Sequence, residues 1–97
     1  MVIHCLTPEK RHIQVKLGTG LAKGERPQAV IPAGAWFGAV LAPEADFALV
    51  GCTVAPGFDF SDFEMGERDA LEREFPRHRG IIKVLCQGGA PHPGPLP

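Results

Sequence analysis

The chain lacks an excess of charge of either sign. Ten Lys and Arg residues face eleven Asp and Glu, for a net charge of -1 over 97 residues. A domain built to hold nucleic acid or an anionic membrane carries a basic footprint, so neither partner is expected. Long apolar runs are missing too. The longest uncharged stretch, Pro27 to Pro43, is broken by Pro32, Gly34 and Gly38, and falls short of the roughly 20 apolar residues that span a bilayer. The opening MVIHCLTPEK has no basic region followed by an apolar run, so no secretory signal is read. Cys5, Cys52 and Cys86 are too widely spaced for any C-x-x-C pair. That excludes a zinc knuckle and a redox motif and leaves reduced thiols, as in a cytoplasmic protein.

What is present reads as β structure with a helical end. VIHCLT and HIQVKL are β-rich and flank Pro8-Glu9-Lys10. A two-residue loop at Glu9-Lys10 pairs Leu6 with Ile13, His4 with Val15 and Val2 with Leu17, which puts His4 on an apolar face. Thr7, His12, Gln14 and Lys16 then form the wet face, so His4 and His12 point apart and do not chelate together. GTGLAKGERPQ is a Gly-rich connection. It lacks the Lys-Ser or Lys-Thr and the helix of a phosphate loop, and its glycines serve turns.

AVI is a short strand entering a Pro32-Ala33-Gly34 turn, with proline at the second turn position. AWFGAVLA runs back, with Phe37, Ala39 and Leu41 on one side and Trp36, Gly38 and Val40 on the other. DFALVGCTVAP is apolar on both faces, as in a strand covered on both sides. Cys52 within it is expected to be a buried, inert thiol. In GFDFSDFEMG, Phe58, Phe60 and Phe63 alternate with Asp59, Asp62 and Glu64. Two carboxylates forced together could do acid-base work, but rings docked on a sheet with their acids in water explain the pattern more simply. ERDALEREF is a surface helix ended by Pro76, and RGIIKVL a second short helix. The tail GGAPHPGPLP is too rich in proline and glycine for a ladder or helix and is expected to be disordered. The predicted organisation is one all-β barrel domain over 1–86 and a tail over 87–97.

The run VIPAGAWFGA resembles the second sequence motif of the cupin superfamily, small jelly-roll barrels. Together with LVGCTVAPGFDFSDFEMG and EREFPRHRGII it resembles cupin family five over roughly residues 2 to 86. The resemblance implies an all-β, cupin-type jelly-roll barrel with a short C-terminal helical segment. In metal-binding members a histidine stands three residues after the motif glycine. Here that position is Phe37, and a phenyl ring has no lone pair to offer a cation. The first cupin motif, with its two histidines and glutamate, would precede VIHCLTP, so the sequence reads as an N-terminally shortened member with a partial barrel.

The resemblance further implies a homodimer, and these departures from the family pattern make the reading a small-molecule-binding domain, metal-free as given and without cofactor. The alternative is a carbohydrate isomerase or epimerase. The related RmlC-like sugar epimerases use a histidine base and a tyrosine acid, and this chain has no tyrosine. An inactive cupin fragment with an unpaired sheet edge is the third reading. The expected pocket is a barrel mouth with Phe37 and Ala39 inward and Trp36 outward. His4, Gln28, Phe37 and Cys52 are its candidate ligand-binding residues, with Gln28 supplying one amide donor and one acceptor. His4 on an apolar face is more simply a satisfied core histidine.

Overall fold

The computed structural model describes residues 1–57 and 59–86. Phe58, the side chain of Asp62 and the Pro/Gly-rich tail over 87–97 lie outside the described residues, and with them the expectations of a docked Phe58 ring and a disordered tail. The chain divides into two compact units at 65/66.

The first unit is organised by one antiparallel sheet of three strands, β1 (Val2–Leu6), β2 (His12–Lys16) and β3 (Trp36–Val40), in the order β2-β1-β3. A central strand gives ladder bonds to both neighbours and loses most exposure, which is why His4, Cys5 and Leu6 of β1 are buried. The described residues form this sheet rather than a closed jelly roll.

The hairpin register differs from the sequence expectation by one residue. Leu6 pairs with His12, Cys5 with Ile13, His4 with Gln14 and Ile3 with Val15. The cause is the turn. Lys10 N–H donates to the Thr7 carbonyl and Thr7 N–H to the Arg11 carbonyl, both at 2.9 Å, and Lys10 has φ 68°. This is a three-residue loop, a tight turn followed by one left-handed residue, and not a two-residue connection. The Thr7 hydroxyl, buried with its residue, accepts from Arg11 N–H at 3.1 Å. One added loop residue moves every β2 side chain to the other face.

Lysine is a poor choice at a left-handed position, where glycine has no Cβ to clash. Lys10→Gly is therefore expected to raise the unfolding free energy by about 0.5–1 kcal/mol, net of the entropy glycine adds to the unfolded chain. Urea titration of the two proteins checks it, and an unchanged or lower midpoint refutes it.

The turn before β3 is built on Gly34, at φ 83°, with Ala35 N–H reaching the Pro32 carbonyl at 3.3 Å. Pro32 thus occupies the first turn position and Gly34 the third, where a positive φ is required. Residues 29–31, expected as a strand, have no regular structure. Nor has the stretch from Asp46 to Pro56. Phe47 is 82% exposed and Leu49 93% exposed. The expectation of a strand covered on both faces fails because no described strand lies beside this stretch to take its ladder bonds.

The second unit contains α1 (Arg68–Glu74) and α2 (Arg79–Leu85), joined by a 3₁₀ turn over Pro76–His78 and packed against each other. Both helices and the stop at Pro76 match the sequence reading. Leu71 and Phe75, four apart, and Ile82 are buried. Phe75 N–H closes α1 on the Leu71 carbonyl at 2.8 Å. The Arg68–Glu72 pair on the surface, at 3.4 Å, contributes little in water.

Candidate functional site

The register sorts the sheet into two faces. One carries Val2, His4 and Leu6, His12, Gln14 and Lys16, and Trp36, Gly38 and Val40. The other carries Ile3 and Cys5, Ile13 and Val15, and Phe37 and Ala39. His4 and His12 therefore share a face, contrary to the sequence expectation. His4 Nδ1 lies 2.9 Å from His12 Nε2, with ring centroids 5.1 Å apart and planes 30° from parallel. One ring donates an N–H and the other accepts. Burial pushes the His4 imidazole below its ordinary pKa, which favours the neutral ring.

The two sides of β3 differ in exposure, and with a single sheet among the described residues there is no barrel interior for Phe37 and Ala39 to face. Trp36 is half-buried on the histidine face, while Phe37 is 64% exposed on the other. No second sheet among the described residues lies over the Phe37 side. That face is apolar along its length, with Cys5 buried at its centre between Ile13 and Phe37. Burial raises the Cys5 thiol pKa and holds it protonated and unreactive. The inert thiol expected at Cys52 is thus found at Cys5. Cys52 itself is exposed, in a stretch without regular structure.

The four residues expected to share a pocket do not converge. His4 and Phe37 are on opposite faces, and Cys52 is on an exposed segment. Gln28 lines a cleft of about 710 Å³ beside β2. Among the described residues no three His, Cys, Asp or Glu gather as a metal cluster would. Asp59 accepts from Ser61 N–H at 2.9 Å, and this bond lowers its carboxyl pKa, as for a turn cap rather than a general acid. Phe60 and Phe63 meet edge to face at 6.5 Å, with Phe60 66% and Phe63 40% exposed.

The Pro32–Gly34 turn feeds a β-strand in a small antiparallel sheet, and the comparison with known families covers this region. The family described as Cupin superfamily (DUF985) matches residues 1–66. The chain belongs to that family. The match ends one residue past the end of the first unit. The crystal structure of a protein from Shewanella oneidensis is similar at 40% identity with a TM-score of 0.81, covering 87% of this chain and 52% of that one. This cupin chain thus spans about half the length of that relative. No curated protein matches it. No helix among the described residues is long and apolar enough to cross a membrane.

Two features escaped the sequence reading. The histidine pair was hidden by the loop length, and only the Thr7-Pro8 turn start hinted at a longer connection. The cleft beside β2 depends on the chain doubling back over 17–26, which Gly18, Gly20 and Gly24 signalled without giving the direction.

Proposed function

We propose that the chain is a small-molecule-binding cupin module whose ligand packs on the Phe37 face. The observation that carries this is an apolar sheet face left open at the motif position where metal-binding cupins place histidine. Phe37, Ile13 and Ala39 are exposed there, and ligand pockets are mostly apolar walls with few polar anchors. Half of the Shewanella chain lies outside the match, enough to supply a second sheet. With such a layer over this face the jelly-roll barrel is complete and its interior is a greasy, metal-free cavity. The homodimer is proposed on family analogy, with sedimentation as its check.

The test uses the neutral dye N-phenylnaphthylamine. The native chain is expected to bind it saturably. Phe37→Asp is expected to weaken binding at least tenfold with little change in melting temperature, since exposed substitutions rarely alter stability by more than about 0.5 kcal/mol. Equal binding by the two proteins, or stoichiometric metal in the purified native protein, would overturn the reading.

A further inference from the structure

We propose that the cleft beside β2 is a binding site for a small phosphate-bearing anion, sharing Val15 with the Phe37 face but none of Phe37, Ile13 and Ala39. Three cations line it: Lys16 at the end of β2, Lys23 in the 3₁₀ turn Leu21–Lys23, and Arg26. Gln14 and Gln28 add amides, and the lining holds no carboxylate. Its volume, about 710 Å³, lies within the range of small-ligand sites, roughly 300–1,000 Å³.

The backbone fixes this convergence. Arg26 N–H donates to the Lys16 carbonyl and Gly18 N–H to the Arg26 carbonyl, both at 2.8 Å. Leu17 and Arg26 form a parallel bridge. Lys23 is held by its N–H on the Gly20 carbonyl at 2.9 Å. The Glu25 carboxylate lies near the Lys23 side chain, since a Cβ on Gly20 would stand 2.8 Å from Glu25 Oε1 and 3.5 Å from Lys23 Cδ. It is not part of the lining and is engaged by the backbone. Glu25 Oε1 accepts from Gly20 N–H at 2.8 Å, and a Cβ on Gly18 would stand only 2.5 Å from that oxygen. Among the described residues no ion pair engages Lys16, Lys23 or Arg26.

Like charges held side by side repel, and a bound anion relieves the repulsion. Three donors arriving from two chain segments, the end of β2 and the connection after it, suit the tetrahedral oxygens of a phosphate better than the two coplanar oxygens of a carboxylate. A phosphate monoester carries about -1.5 to -2 charge at neutral pH, which the three cations neutralise. Arginine adds a planar fork and each lysine a point charge.

The experiment titrates the full chain with inorganic pyrophosphate at constant ionic strength and follows backbone amide resonances. Saturable shifts confined to 14–16 and 23–30 are expected. Lys23→Gln combined with Arg26→Gln should weaken binding at least tenfold. Arg77→Gln, which removes an exposed cation from the other unit, should leave it unchanged. No saturable shift, or an equal loss in the Arg77 variant, overturns the site. Citrate binding in place of pyrophosphate overturns the phosphate assignment. Binding to phosphatidylserine vesicles without binding of free pyrophosphate overturns the small-molecule assignment.

Discussion

Phe75→Ala is expected to lower the unfolding free energy by about 3–5 kcal/mol, the range for truncating a fully buried phenylalanine. Phe75 is 1% exposed and, with Ile82, is among the largest fully buried side chains. Its removal leaves a cavity as well as losing the transfer energy of the ring. Domains of this size carry small margins, of order 5–15 kcal/mol at best, so the variant should melt far below the native protein or fail to fold at room temperature. Phe37→Ala is the comparison. The residue type and the chemical change are the same, but at 64% exposure the cost should stay within about 0.5 kcal/mol. Thermal melts of the two variants side by side decide it. Equal losses would mean that Phe37 is covered in solution.

Acid is the second strong lever. His4 is buried with its pKa depressed from 6.5. The unfolded chain therefore takes up a proton near that pH which the folded chain refuses. Stability rises with pH wherever the unfolded state binds more protons. The contribution of neutral His4 is thus complete above 6.5, declines as the pH falls through 6.5 toward the lower folded value, and is flat beneath both. Protonating both rings of the pair would also set two cations beside each other at 2.9 Å. Urea midpoints measured from pH 8 down to pH 5 should fall, and His4→Asn should flatten that slope whatever its absolute stability. Asp59 acts in a separate window. Its carboxyl is depressed from 3.8, so its contribution is lost only at more acid pH. A native midpoint that is level between pH 8 and pH 5 would sink the prediction.

The parts of this fold legible in the sequence are those set by local periodicity. Alternation in VIHCLT and HIQVKL placed β1 and β2, the Pro32–Gly34 step placed the turn before β3, and the Leu71–Phe75 spacing with Pro76 placed α1 and its end. What failed was decided by numbers of residues or by neighbours. The hairpin register turned on whether its loop holds two residues or three, which Pro8-Glu9-Lys10 does not announce. The stretch around Leu49 has the composition of a strand, but composition cannot supply the neighbouring backbone that makes one. The orientation of Phe37 was inferred for a two-layer barrel, and the described residues hold one layer.

The site was legible to a similar degree. Gln28 was singled out at a strand entrance as an anchor of a barrel mouth; it lines instead a cleft that holds none of His4, Phe37 and Cys52. The cations that accompany it come from Lys16, Lys23 and Arg26, which are brought together by backbone bonds between residues up to ten apart. No spacing rule marks such a set. His4 was read as a core histidine, which its burial supports, but its ring partner His12 was assigned to the opposite face.

The three-residue loop at Pro8-Glu9-Lys10 makes the hairpin a parity device. Chain length between the strands, odd or even, decides which side chains of β2 share a side with His4. Insertions or deletions in this loop among relatives would alternate the chemistry of both surfaces without changing a single residue in either strand. Sequence alignment alone would overlook such an exchange, because every strand position would still match.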